Sequence, residues 1–188
     1  MLGPDFPGVL AAARRGDEYA FGRLWRETHP ALLRYLQAVG AESVDDLASD
    51  VWLEVAGKLA TFGGDESAFR GWVFTLARRR LIDSWRRGGR RPVYPVAEPH
   101  LYEKPGADYT ADTAAENLGT RQALALIARL PREQAEVVAL RVVGGLSAKE
   151  VAALLGKSPG AVRIIAHRGL RRLAALLVDQ NVEGGVTQ

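Results

Sequence analysis

The sequence predicts an all-α fold, two helical domains joined by an extended linker. Three observations carry this. Apolar residues recur at three- and four-residue spacing, and no stretch alternates with the two-residue period of a half-buried strand. The composition breaks between Gly88 and Asn117, where four prolines, three glycines and, after Arg91, mostly acidic charge leave no periodicity. Finally, Leu146 to Leu173, LSAKEVAALLGKSPGAVRIIAHRGLRRL, holds the start and stop signals of two helices joined by a very short turn. The expected division is a first domain over 1–90, a flexible linker over 91–117, a second domain over 118–178 and a frayed polar tail over 179–188.

In chain order, Val9 to Arg15 reads as a short helix ended near Gly16. Asp17 can cap the next, whose stripe is Ala20, Phe21, Leu24 and Trp25. Pro30 lacks an amide hydrogen and is expected to kink or interrupt it, with Leu32, Leu33, Tyr35, Leu36 and Val39 continuing to Gly40. A third helix, SVDDLASDVWLEVAGKLATF, starts at Ser43. Leu47, Val51, Val55 and Leu59 lie on one face, and Asp46, Asp50 and Glu54 on another. That acidic row is either a solvated face or a docking surface for a basic partner. Phe62 to Ser67 is a loop, on its glycines.

The fourth helix contains AFRGWVFTLARRRLIDSWRR, with Phe69, Trp72, Val73, Leu76 and Ala77 as a buried face. Seven arginines and a single acid, Asp83, fall between Arg78 and Arg91. Guanidinium groups suit phosphates, and exposed rings stack on unpaired bases at roughly 1–3 kcal/mol each. In the second domain Leu124, Ile127, Ala128 and Leu130 form a stripe. Pro131 is placed at the first position of a helix that ends at Gly144-Gly145.

The closing helices have the clearest signals. Ser147-Ala148-Lys149-Glu150 is a capping box, Gly156 a left-handed stop, and Ser158-Pro159 an N-cap followed by proline at the first helical position. A turn this short forces a steep crossing, the geometry of a helix-turn-helix whose second helix enters the DNA major groove. From Ser158 to Val178 there is no acid, while Arg163, Arg168, Arg171 and Arg172 are present.

Composition bounds the function. The 188 residues are 47% hydrophobic and 25% charged, so a folded core is expected. The net charge is only +3, but the arginines are clustered, and the distribution is what nucleic acid reads. There is no cysteine, and His29, His100 and His167 form no ligand-spaced set. No phosphate loop, metal-ligand cluster or nucleophile–base pair is recognisable, so no cofactor, no metal and no enzyme activity is expected. The N-terminus lacks the pattern of a signal peptide and no apolar run approaches a membrane span, which predicts a soluble, cytoplasmic protein without direct membrane insertion.

The order of these blocks resembles the extracytoplasmic-function (ECF) group of bacterial sigma-70 factors. DDLASDVWLEV at 45–55 looks like region 2.2, FRGWVFTLARRRLIDSWRR at 69–87 like regions 2.3 and 2.4, and 130–173 like region 4. The resemblance implies a protein that binds core RNA polymerase, through the β′ clamp helices and the β subunit, and directs it to promoter DNA. It implies that Asp46, Asp50 and Glu54 dock on the clamp helices. Phe62, Asp65 and Ser67 would capture a base flipped from the −10 strand, and Arg78, Arg79, Arg80, Arg86 and Arg87 would hold adjacent backbone. Lys149, Ser158, Arg163, His167, Arg168 and Arg171 would meet the −35 element. The linker would thread the RNA exit path, and an anti-sigma factor is an implied partner.

Three positions depart from the family pattern. Ser49 stands where Gln is frequent, Arg79 where Asn is common, and Ile164-Ile165 where Ser-Arg is usual. The isoleucines either touch a thymine methyl or belong to the core. The alternatives are a stand-alone helix-turn-helix transcriptional regulator with a helical sensor domain and an RNA-binding helical protein.

Overall fold

The computed structural model describes residues 1–87 and 111–184, with the backbone alone for 111–118 and 179–184. Among the described residues every regular element is helical. A 3₁₀ turn, Gly3–Asp5, leads into α1, Phe6–Arg14. This start precedes the expected Val9 because Phe6 is itself a core residue, 2% exposed. Helix α2, Glu18–Ala38, begins where the Asp17 side chain accepts the Ala20 amide at 2.8 Å.

Helix α2 runs through Pro30 without the expected interruption. Proline removes one hydrogen bond, while Leu24, Leu32 and Leu36, all at most 1% exposed, hold both halves of the helix to one core. Helix α3, Val44–Lys58, ends in a 3₁₀ turn, Leu59–Thr61. Helix α4, Glu66–Arg87, buries Phe69, Val73, Phe74, Leu76, Ala77 and Leu81. Trp72 is only partly buried.

Helix α5, Ala111–Ala128, begins within the segment read as linker. The rest of the expected linker, 91–110, lies outside the described residues. Helix α6, Arg132–Val138, has Pro131 as its N-cap, not its first residue. It passes into a π-helical turn, Ala139–Val143, which ends at Gly144. The capping box of α7, Ala148–Leu155, is complete: the Glu150 amide donates to Ser147 Oγ at 3.2 Å and the Ser147 amide to Glu150 Oε2 at 2.6 Å. Gly156 closes α7 at φ 67°. Helix α8, Pro159–Gly184, starts with the Ala161 amide on Ser158 Oγ at 3.1 Å and continues into the segment read as a tail.

Helices α1–α4 make one lobe and α5–α8 a second, and their buried residues form one connected core. Tyr35 and Phe74, both fully buried, lie at the join with rings 5.3 Å apart, edge to face. Gly144 of the second lobe presses on this pair: a Cβ there would lie 3.3 Å from the Phe74 ring. No helix among the described residues is long and apolar enough to cross a membrane.

Candidate nucleic-acid interface

The second lobe presents a basic helical face. On α8, Val162 and Ala166 turn inward at 0% and 9% exposure, and Ile165 packs partly against the core. The opposite side carries Arg163, His167, Arg168, Arg171 and Arg172, all exposed. Arg163, His167 and Arg171 recur every four residues and so share one stripe. The two isoleucines divide: Ile164 is 55% exposed and stands in the basic face, whereas Ile165 packs against the core. Lys149 is exposed on α7. Ser158 is engaged as the N-cap of α8. Lys157 bonds Glu133 at 2.6 Å, tying the turn to α6.

In the first lobe the sites expected from sequence are more entangled. Asp46 is exposed and Asp50 half-buried on α3. Glu54 turns inward, its side chain only 7% exposed. It pairs with Lys58 at 2.7 Å, with Arg79, and with Arg80 at 3.0 Å. Hydrogen bonds from Arg79 and Lys58 outweigh its burial and pull its carboxyl down to about 2. One expected docking acid and two expected DNA-binding arginines therefore neutralise one another between α3 and α4. Arg86 and Arg87 remain exposed at the end of α4.

The loop before α4 is built from rings. Phe62 stacks on Trp72 with centroids 4.9 Å apart and 18° between planes, and meets Phe69 edge-on at 5.6 Å. Asp65 caps α4, accepting the Ala68 amide at 2.8 Å. A further aromatic group escaped the sequence reading: His29 stacks on Trp25 at 4.3 Å and accepts the Trp52 indole N–H on Nδ1 at 3.1 Å. Burial holds this imidazole below its ordinary value, against the opposing pull of Asp45. It ties α2 to the expected docking helix.

Residues 24–91 match the family described as Sigma-70 region 2, and residues 120–173 that described as Sigma-70, region 4. The ECF RNA polymerase sigma factor SigD of Mycobacterium tuberculosis is 34% identical over 180 residues, covering 92% of this chain and 84% of SigD. The ECF sigma factor ShbA of Streptomyces griseus is 34% identical over 177 residues, covering 89% of this chain and 93% of ShbA. The structure of CnrH in complex with the cytosolic domain of CnrY is similar at TM-score 0.62 and 26% identity, covering 91% of this chain and 96% of CnrH. The chain belongs to the ECF sigma factors of the sigma-70 family.

In this sigma factor, region 2 and region 4 are packed face to face, and two of the residues expected to meet DNA, Ser67 and Arg78, lie in that contact. The Ser67 hydroxyl donates to Glu150 of the capping box. Partial burial works against the charge of Glu150, but hydrogen bonds from Ser147 and Ser67, with Arg70 nearby, outweigh it and hold the carboxyl below its ordinary value. Arg70 donates to the Gly144 carbonyl at 2.6 Å, and Arg78 to Glu136 at 2.7 Å. The Arg132 guanidinium lies 4.2 Å over the Trp85 ring. Glu150 was legible only as a local cap. No sequence signal links it to a serine more than eighty positions away, because that pairing is a property of how the lobes meet.

Proposed function

We propose that this ECF sigma factor docks on core RNA polymerase through the exposed side of α3 and reads promoter DNA with its two lobes. The docking face narrows to Asp46 and Asp50 with Leu53, 73% exposed, between the acids and the helix end. Burying this exposed apolar side chain against a partner would remove its surface from water. On the polymerase this face would meet the β′ clamp helices, and region 4 the β subunit. The loop Phe62–Ser67 would receive a flipped −10 base, with Arg86 and Arg87 on the neighbouring phosphates. Arg78, Arg79 and Arg80 would join them when their acidic partners are displaced.

The observation that carries this reading is the one-signed face of α8 on a fully capped helix-turn-helix, which suits the −35 major groove. Initiation takes place in the cytoplasm, where this reading puts the protein. An anti-sigma factor is the proposed regulator, and the similar CnrH structure holds the cytosolic domain of CnrY. Purified protein added to core polymerase should support run-off transcription from a set of genomic promoters. Absence of specific initiation from every promoter tried would sink the reading.

A further inference from the structure

The N-terminal segment holds the chain just before the proposed −10 loop, Phe62–Ser67, and again near its end. Just before the loop, in the 3₁₀ turn Leu59–Thr61, Arg14 Nε donates to the Ala60 carbonyl at 3.1 Å. At its far end, the Glu66 carboxylate accepts the Leu2 amide on one oxygen at 2.7 Å and the Gly3 amide on the other at 2.9 Å. Leu2 has right-handed helical dihedrals and Gly3 a φ of 55°. Consecutive residues of opposite hand turn their amides into one concavity, a nest for an anion. Only glycine takes the second position without strain. Two charge-assisted bonds to one carboxylate are stronger and more directional than a neutral pair. Between the two grips, Phe6 lies 5.9 Å from Phe69, whose ring also meets Phe62.

We infer that Leu2–Arg14 is a clamp that pre-orders the base-capture loop, with Glu66 as its positioning residue. The inference rests on the proposed reading of the −10 element by residues 62–67. The gain is entropic. A loop containing Gly63 and Gly64 is intrinsically loose, and each residue fixed on binding costs about 1–2 kcal/mol. A loop already held at Ala60 and Glu66 avoids much of that cost when a base arrives. The clamp's hydrogen bonds fall on Ala60 and Glu66, while Gly63 to Asp65 between them stay exposed.

The test compares one promoter used by the full-length protein with core polymerase in two forms, the intact duplex and the same duplex made abasic at the captured −10 position. Glu66→Gln keeps the shape but replaces the carboxylate. It should slow open-complex formation on duplex roughly tenfold, the worth of about one charge-assisted bond, and change opening of the abasic form, which has no base to capture, by less than about twofold. Gly3→Ala should do the same from the other side of the contact, and the double variant should be no worse than either single. Affinity for core polymerase should be unchanged in all three, which excludes misfolding. Equal losses on both promoter forms, additive losses, or no loss on duplex would each overturn the clamp. Phe62→Ala separates the two readings. If it leaves duplex opening intact, base capture by this loop is wrong. If it slows opening while Glu66→Gln does not, only the clamp is wrong.

Discussion

Glu54 sits among Lys58, Arg79 and Arg80 with 7% of its side chain exposed, and its pH behaviour follows from that setting. Its carboxyl is lowered from 4.5 to about 2, so the folded state binds the ionised form preferentially. The stability this contributes is fully present above pH 4.5 and is lost as pH falls through about 2. Glu54→Gln should lower stability at neutral pH by about 1–2 kcal/mol, a value reduced because the arginines lie partly in water. The gap between wild type and variant should close on acidification, which urea titrations at neutral and acid pH would measure. A solvated acid on α3 would show no such closing gap. The four-residue spacing of Asp46, Asp50 and Glu54 was legible in the sequence. That Glu54 faces α4 was not, because the helix rotation that aims it there is set by packing. The sequence left the isoleucines open for the same reason. Arg163 is exposed on the basic face of α8, and if it reads a base, as proposed, Arg163→Ala should weaken −35 binding by about 1–3 kcal/mol and relax preference at one base pair. Competition binding against single-position operator variants would check both.

Element boundaries set by local chemistry were readable: Asp17, Ser147 and Ser158 each cap the helix they were expected to cap. Boundaries set by packing were not, as α2 continuing through Pro30 and the π-helical turn Ala139–Val143 demonstrate. Gly169 makes the same distinction quantitative. Replacing a helical glycine by alanine ordinarily stabilises by nearly 1 kcal/mol. Here the added Cβ would lie 2.7 Å from Val138 Cγ2 and 3.4 Å from Gln134 Cβ. Val138 is 1% exposed and has no room to yield. Gly169→Ala should therefore destabilise, by about 1–3 kcal/mol, through overpacking between α6 and α8. On a Val138→Ala background the same change should become neutral or favourable. Thermal unfolding of the four proteins gives the sign directly, and an additive result would mean that α8 has another reason for its glycine.

At the scale of the whole molecule, two promoter-reading lobes share one core, and that core limits what the packed form can reach. A folded chain of this length is roughly 40 Å across. The duplex between positions −35 and −10 spans roughly 85 Å at 3.4 Å per base pair. The packed form therefore cannot engage both elements, and Ser67 and Arg78 are in any case occupied by Glu150 and Glu136. Initiation requires the lobes to separate, which exposes Tyr35 and Phe74 and breaks the Arg78–Glu136 pair. Glu136 is the place to act, since it carries no proposed DNA or polymerase contact. Glu136→Lys would set a cation against Arg78 and Arg132 and should shift the population toward the open form. Small-angle scattering of the free protein should record a larger radius of gyration, and promoter association with core polymerase should quicken several-fold. Because the buried rings favour closure, Phe74→Ala should enlarge the free protein in the same way. An expanded radius without faster association would mean that opening is not the step that limits promoter engagement.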